Sequence, residues 1–220
     1  MSEMNFEVAR HNMIEQQIRP WNVLDQNSLK ILQEIPREEF VPKAFKQLAF
    51  SDMKIPLAHG QFMLEPKMEA HILQAVQVHE QDHVLEIGTG SGFLTAILAK
   101  IAKHVTSLDV HPELTEQAYS NLVPFKFDNI ILETCDASQD YDTSRVFDVI
   151  IISGALQETP ETYKNKLKVG GRLFLITGTN VAMNARLLTR VSDDQWSDII
   201  LFETEIDFLI NKQSAKTFTF

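Results

Sequence analysis

The sequence has little cysteine and comparatively few basic residues. Cys135 is the single cysteine among 220 residues, which excludes an internal disulfide and a cysteine-rich metal site. Lysine and arginine together number 20 against 30 aspartate and glutamate residues, so the formal net charge is -10. An acidic chain gains little from attraction to phosphates, and we therefore expect no nucleic-acid partner.

Long apolar runs are also absent. No run approaches the ~20 residues that a membrane-spanning helix needs, so we expect no membrane partner. Residues 1–12 are mixed polar and acidic, and they predict no secretory signal. The composition, 44% hydrophobic and 23% charged, is that of a globular chain large enough for one full-sized domain. These features together lead us to expect a cytoplasmic protein.

The first part of the chain, residues 1–78, has a helical and segmented pattern. The dipeptide Arg19-Pro20 is expected to end the first helix, because a residue before proline is pushed out of the α region. A second short helix is predicted over 29–35 with its cap at 27–28, and a later helix over 67–78. We interpret this part as an N-terminal helical layer that includes a long loop.

From residue 79 onward, strands alternate with helices, which predicts βαβ units and a mostly parallel sheet. Gly170-Gly171 is predicted to turn into the last parallel strand, and two later strand-like segments predict an antiparallel hairpin. With no repeat or linker visible, we expect a single domain over 1–220, with 79–220 as its α/β core. The predicted strands are 84–87, 105–110, 130–134, 147–153, 172–177, 187–191 and 199–202, and the predicted helices of the core are 93–103, 112–122 and 160–167.

A glycine-rich loop lies between the first predicted strand of the core and the helix that follows it. The segment 85–93 reads LEIGTGSGF, and its three glycines let the backbone turn tightly and let a ligand approach closely. The free N–H groups of the helix N-terminus lie behind such a loop. In the dinucleotide-binding pattern a third glycine would stand where this chain has Phe93, so the loop is not typical of NAD binding.

Two acids follow the loop at the ends of the next two predicted strands. Asp109 comes 21 residues after Gly88, where a carboxylate can accept hydrogen bonds from ribose hydroxyls. Asp136 is placed to meet an adenine amino group or nearby backbone. Loop and acids together are typical of S-adenosylmethionine binding, the alternative being only a tight strand–helix turn. The predicted cofactor-binding residues are Glu86, Gly88, Thr89, Gly90, Ser91, Gly92, Asp109, Val110, Asp136 and Ala137.

Several segments resemble the protein-L-isoaspartate O-methyltransferase family. They cover most of the chain: MIEQQI at 13–18, IPREEFVP at 35–42, IPL at 55–57, GQ at 60–61, EIGTGSG at 86–92 and LKVGGRL at 167–173. The resemblance implies a Rossmann-like methyltransferase fold, with a seven-stranded mostly parallel sheet, a C-terminal antiparallel hairpin and an N-terminal helical layer that carries the substrate loop. It also implies an S-adenosylmethionine-dependent O-methyltransferase that acts on damaged aspartyl residues of proteins, in protein repair.

The chain departs from the family's pattern mainly in the substrate loop. After Gly-Gln the family has threonine-isoleucine-serine, whereas this chain reads FMLEP at 62–66, so the family's functional serine aligns with Leu64. The catalytic residue therefore stays open, with Gln61, Ser153 and His59 as candidates. Loss of the hydroxyl predicts weak or absent isoaspartyl methylation with normal cofactor binding. A family glycine is also replaced by Ala137.

Two other functions are compatible with these residues. One is a methyltransferase with a different acceptor, either a small molecule or another protein group. The other is a cofactor-binding homologue that has lost transfer activity and serves an interaction role. Transfer of a labelled methyl group distinguishes the three.

The run from His79 to His83 spells H-E-x-x-H, a zinc-protease pattern. That pattern binds zinc only on a continuous helix, where the two imidazoles lie one turn apart on the same face. Here it spans a predicted turn into a strand, so we predict no zinc and no other metal site.

Overall fold

The central element of the structure is a mixed sheet. In chain order the strands are β1 (Ile55–Pro56), β2 (Phe62–Met63), β3 (His83–Ile87), β4 (His104–Asp109), β5 (Ile130–Thr134), β6 (Phe147–Leu156), β7 (Leu167–Thr179), β8 (Ala182–Arg190) and β9 (Trp196–Thr204). The computed structural model describes residues 4–138, 140–179 and 181–211, and within them seven strands pair in the order β5-β4-β3-β6-β7-β8-β9. Pairs from β5 to β7 are parallel, and β7, β8 and β9 are antiparallel. The predicted fold class is confirmed.

Helices pack on both faces of the sheet. They are α1 (Phe6–Met13), α2 (Gln26–Glu34), α3 (Pro66–Val76), α4 (Phe93–Ile101), α5 (Pro112–Leu122) and α6 (Glu161–Asn165). Successive side chains of a strand point to opposite faces, so Ile151 of β6 packs with Ile72 of α3 and Leu98 of α4, whereas Ile150 packs with Tyr163 of α6. In the part of the chain that the structure describes, no helix is long and apolar enough to cross a membrane.

The N-terminal layer packs against α4. Met13, Leu29 and Phe40 form one buried cluster with Phe93 and Ile97 of that helix. The ring of Phe40 meets the ring of Phe93 edge-on, with centroids 5.5 Å apart. Because α4 begins directly after the glycine loop, this packing brings the N-terminal layer to the end of the sheet where the loop lies.

The first helix does not end at Arg19-Pro20, contrary to the prediction. After α1 the chain widens into a π turn over Ile14–Ile18 and continues as a 3₁₀ turn over Arg19–Trp21. Arg19 stays in the α region at φ -57 and ψ -44, and the chain reverses at Asn22 with φ 68. Pro20 lies in the first turn of the 3₁₀ segment, where its missing N–H is not needed.

Other boundaries also differ from the prediction, and the contacts explain two of them. Asp25 caps α2 rather than residues 27–28, because its carboxylate accepts from the backbone N–H of Ser28 at 2.8 Å. Gly170-Gly171 does not precede the strand but lies within β7, where the pairing with β6 slips out of register. A side chain on Gly171 would come within 2.8 Å of the Lys168 carbonyl oxygen, so only glycine fits this irregularity.

Candidate active site

The loop between β3 and α4 requires its glycines. Gly88, Gly90 and Gly92 have φ values of 100, 53 and 83, in the left-handed region that favours glycine. A Cβ atom on Gly88 would lie 2.1 Å from Ser153 Oγ, and one on Gly92 would lie 3.1 Å from the Ala118 side chain. The loop therefore presents bare backbone to the cavity beside it, as a close-fitting ligand requires.

Asp109 is the last residue of β4, and its carboxylate is held by two backbone N–H groups. Gly90 N donates to Oδ2 at 2.9 Å, and His111 N donates to Oδ1 at 3.0 Å. An ionised carboxylate has about four acceptor positions, so two remain for a ligand. The residue lines the cavity, which makes it an oriented acceptor for a pair of hydroxyl groups.

One end of the cavity contains polar atoms that lack partners. Among the described residues, His111 Nε2 and Ser138 Oγ are buried without a hydrogen bond, and both residues line this end. Buried polar groups are nearly always satisfied, so the cavity fits a ligand with its own donors and acceptors, such as an adenine ring. The Asp136 carboxylate accepts from Ser138 N at 3.0 Å and from Asn211 Nδ2 at 2.8 Å.

The structure divides the predicted cofactor residues into two groups. Gly88, Gly90, Asp109, Val110, Asp136 and Ala137 line the cavity. The other four, Glu86, Thr89, Ser91 and Gly92, support the loop from behind. The Thr89 and Ser107 hydroxyls lie 2.7 Å apart, and Ser91 O accepts from Asn121 Nδ2 at 2.9 Å. Glu86 Oε2 accepts from Thr95 Oγ1 at 2.5 Å, and Gly92 faces Ala118 of α5. The sequence reasoning missed His111 and Ser138, although each lies two residues after a predicted acid.

Two buried glutamates lie behind the loop. Burial raises the pKa of Glu86 to about 7, against an opposing hydrogen bond from Thr95. Burial also raises the pKa of Glu69, with Glu86 nearby, but the Arg37 guanidinium opposes this shift and forms an ion pair with the Glu69 carboxylate. Glu86 thus holds a proton in the folded state at pH values where the unfolded chain, with an ordinary pKa of 4.5, has lost it.

The free energy of unfolding should therefore fall as pH rises from about 5 to about 7. The contribution of Glu86 is largest below the ordinary pKa of 4.5 and is lost as pH rises through the folded value of about 7. We expect Glu86 to account for a loss on the order of 3 kcal/mol, at roughly 1.36 kcal/mol for each pKa unit between these two values. Glu86→Gln should flatten this slope in urea unfolding measured across pH, and exposed Glu116→Gln should leave it unchanged. Equal slopes for Glu86→Gln and the parent would contradict the assignment.

The other side of the cavity has apolar walls. One wall is formed by the hairpin of β1 and β2 together with the residue that follows it, and the other by the segment after β9. Phe62, Met63 and Leu64 contribute from the hairpin, and Phe208 and Leu209 from the segment. Leu64, at the family's serine position, lines the cavity, and its carbonyl oxygen accepts from Arg37 Nη2 at 2.6 Å. The replacement of the hydroxyl thus lies inside the cavity rather than on the protein surface.

The three catalytic candidates occupy different places. Gln61 lines both ends of the cavity, and its Nε2 donates to His59 O at 3.3 Å. Ser153 Oγ donates to Ile87 O at 2.9 Å, which uses its proton to hold the end of β3. The His59 ring stacks on His111 at 4.2 Å, with Nε2 3.1 Å from the Glu113 carboxylate. His59 thus ties the hairpin loop to the chain after Asp109.

The histidine pair does not have the geometry of a zinc site, and the cysteine does not have the environment of a nucleophile. His79 lies in the turn after α3, and His83 is the first residue of β3, so the two rings do not share a helix face. Among the described residues, no group of three or more His, Cys, Asp or Glu side chains could hold a metal ion. Burial, with Glu133 and Asp136, raises the pKa of the Cys135 thiol, which disfavours the nucleophilic thiolate.

Sheet order, glycine loop and oriented acid define the class of S-adenosylmethionine-dependent methyltransferases. The family model for protein-L-isoaspartate(D-aspartate) O-methyltransferase (PCMT) matches residues 8–205. The chain therefore belongs to this family, as the resemblance predicts, and it is a methyltransferase that uses S-adenosylmethionine.

Curated relatives and a solved structure agree with this assignment. The chain is 31% identical over 204 residues to protein-L-isoaspartate O-methyltransferase of Petrotoga mobilis, covering 90% of this chain and 96% of the relative. It is 34% identical over 196 residues to the Brucella anthropi enzyme, covering 88% and 89%. A Plasmodium falciparum structure described as a beta-aspartate methyltransferase (PCMT), in complex with S-adenosyl-L-homocysteine, has a TM-score of 0.80 at 18% identity, covering 94% of this chain and 99% of that one. This likeness shows the fold.

Proposed function

We propose that this protein transfers a methyl group from S-adenosylmethionine to the free carboxylate of isoaspartyl residues in proteins or peptides, and thereby forms a methyl ester. The observation that carries the proposal is one cavity lined by both Gly88 and Asp109 of the cofactor side and Leu64 of the hairpin. A cofactor held by Gly88 and Asp109 would have its reactive end in the space beside Leu64.

We assign the cofactor's parts to the residues of this cavity. The Asp109 carboxylate would accept hydrogen bonds from the ribose hydroxyls, and Asp136, His111 and Ser138 would face the adenine ring. The bare backbone of the glycine loop would contact the amino-acid end. When bound, S-adenosylmethionine supplies a methyl group on a sulfonium centre and leaves as S-adenosylhomocysteine after transfer.

The acceptor chemistry explains why no general base is needed. A carboxylic acid with a reference pKa of ~3.9 is already ionised at pH 7. The protein has to hold the carboxylate oxygen about 3–3.5 Å from the methyl carbon, and such alignment can supply roughly 7–11 kcal/mol. The hairpin of β1 and β2 lies over the glycine loop, since the Leu57 side chain is 3.5 Å from the Cβ position of Gly90, and it would exclude water there.

Labelled S-adenosylmethionine and two peptides of equal composition test the proposal. One peptide contains an isoaspartyl residue and the other a normal aspartyl residue at the same position. We expect label in the isoaspartyl peptide alone, released by mild base as an ester requires. Base-stable label, or label in small molecules of a cell extract, would instead identify another acceptor. Cofactor binding with no transfer at all would support a non-catalytic homologue.

We make two further proposals, on the biological role of the reaction and on the location of the protein. Esterification of isoaspartyl residues is chemistry of protein repair, and we propose that role. We also propose that the protein acts in the cytoplasm, where a free cysteine such as Cys135 stays reduced.

Leu64→Ser should raise the activity on an isoaspartyl peptide. A hydrogen bond to a charged group is worth about 1.5–3 kcal/mol, and we expect the low end, about tenfold in kcat/KM. Leu64→Ala is the matched control, because it opens the same space without adding a hydroxyl. If serine and alanine raise kcat/KM equally, or if serine does not raise it, the missing hydroxyl does not limit the activity.

A further inference from the structure

The acceptor cavity contains one cation that the family resemblance did not point to. Lys54 directly precedes β1, and it is the only lysine or arginine among the described residues that line this cavity. Among the described residues, the carboxylates on this side of the cavity are Asp207 and Asp109, which also belongs to the cofactor side, whereas Asp136 lines the opposite end. Lys54 is therefore the positive charge with which an anionic acceptor in the cavity could pair.

The Lys54 ammonium is only partly used by its neighbour. Its Nζ lies 3.5 Å from Asp207 Oδ2, and the two side chains are 30% and 65% exposed. That separation exceeds the roughly 2.7–2.9 Å of a charge-assisted hydrogen bond. Since an ammonium has three donors, the pair leaves Lys54 able to bind a second carboxylate.

The backbone keeps Asp207 in place beside the cavity. Ala155 N donates to Asp207 O at 2.9 Å, and Leu209 N donates to Ala155 O at 2.9 Å. The segment after β9 is thereby tied to the end of β6, next to the glycine loop. Asp207 can thus hold the Lys54 side chain at the cavity while Lys54 exchanges partners.

We propose that Lys54 binds the acceptor carboxylate and takes over the recognition that a serine hydroxyl provides at the position of Leu64 in the family. The inference rests on the proposed function, since it assumes a carboxylate acceptor. The surrounding wall of Phe62, Met63 and Leu64 strips water from the acceptor, and desolvation of an unpaired carboxylate is costly. A cation in the same cavity offsets that cost and keeps the carboxylate ionised.

The position of Lys54 also suits an acceptor that is part of a polypeptide. Lys54 lines the cavity and also an open groove between α3 and the hairpin of β8 and β9. Trp21, His71 and Phe202 line this groove, and the rings of the last two lie 4.6 Å apart. A carboxylate on a peptide can reach Lys54 while the flanking residues occupy the groove.

Three variants test the role of Lys54. Lys54→Met removes the charge, Lys54→Arg keeps it, and Lys46→Met is the control, because Lys46 is 36% exposed and pairs with a half-exposed glutamate away from the cavity. We expect Lys54→Met to raise the KM for an isoaspartyl peptide about 10- to 150-fold, with a smaller effect on kcat and none on cofactor affinity. Lys54→Arg should retain most of the parent's affinity, and Lys46→Met should match the parent.

The same variants distinguish failure of this inference from failure of the proposed function. An active parent whose KM is unchanged by Lys54→Met, or changed equally by Lys46→Met, overturns the role of Lys54 alone. If the parent transfers nothing, a binding measurement tests the role of Lys54 instead. Protein loaded with S-adenosylhomocysteine is titrated with the isoaspartyl peptide and with the same peptide whose carboxylate has been converted to an amide. Tighter binding of the carboxylate form that depends on Lys54 supports the inference without the activity, and equal binding of both forms overturns it.

Discussion

Asp109→Ala should weaken S-adenosylmethionine binding by roughly 100-fold or more. The change removes up to two charge-assisted hydrogen bonds to the ribose, each worth about 1.5–3 kcal/mol. It also releases the backbone N–H groups of Gly90 and His111, which the carboxylate holds at 2.9 and 3.0 Å. Isothermal titration calorimetry of the purified variants measures the loss directly.

Two comparisons make this result specific. Asp109→Asn keeps one acceptor oxygen and should fall between the parent and the alanine variant, and exposed Asp128→Ala should bind like the parent. NAD should not bind the parent, since Phe93 occupies the place of the third glycine. An Asp109→Ala variant that binds S-adenosylmethionine as tightly as the parent would show that the ribose does not lie at this carboxylate.

Arg37→Met should destabilise the protein by about 3–5 kcal/mol, the usual effect of removing one partner of a buried ion pair. The Arg37 side chain is 1% exposed and pairs with Glu69, which is 3% exposed. Its Nε donates to Ala49 O at 2.8 Å and its Nη2 to Leu64 O at 2.6 Å. The variant thus leaves one carboxylate and two carbonyl groups without a donor, as urea unfolding at pH 7 would report.

A double variant and an exposed pair are the controls for Arg37. Arg37→Met combined with Glu69→Met should recover much of the loss, because no unpaired charge then remains buried. Arg19→Met removes an ion pair to Glu15 whose side chains are 33% and 40% exposed, and it should change stability by less than about 1 kcal/mol. Similar losses for the Arg37 and Arg19 variants would contradict the buried role of Arg37.

Much of the fold follows from local sequence pattern. The bounds of β5 and α5 agree with the prediction, because apolar spacing and a proline in the first helical turn are local signals. β6 continues to Leu156, three residues beyond its predicted end, since Ala155 and Leu156 pair with β7 after a shift in register, and Ala155 also bridges to Phe208 of a distant segment. The Arg19-Pro20 boundary was wrong because a π turn shifted the local hydrogen bonds. Tertiary contacts and turn geometry of this kind are not visible in local pattern.

The site divides in the same way. The glycine loop and Asp109 were predictable, because a strand, a tight turn and an acid at fixed spacing are close in sequence. Lys54 and Asp207 face each other only because the hairpin and the segment after β9 meet at the end of the sheet. The engagement of Ser153 with Ile87 likewise depends on the pairing of β3 with β6.

A crystal structure with S-adenosylhomocysteine bound tests the central claim most directly. We expect the ribose hydroxyls within hydrogen-bond distance of the Asp109 carboxylate and the adenine beside His111 and Ser138. The sulfur should face the space lined by Leu64 and Lys54, where the acceptor carboxylate would lie. A ribose away from Asp109, or a sulfur that faces away from this space, would contradict the account.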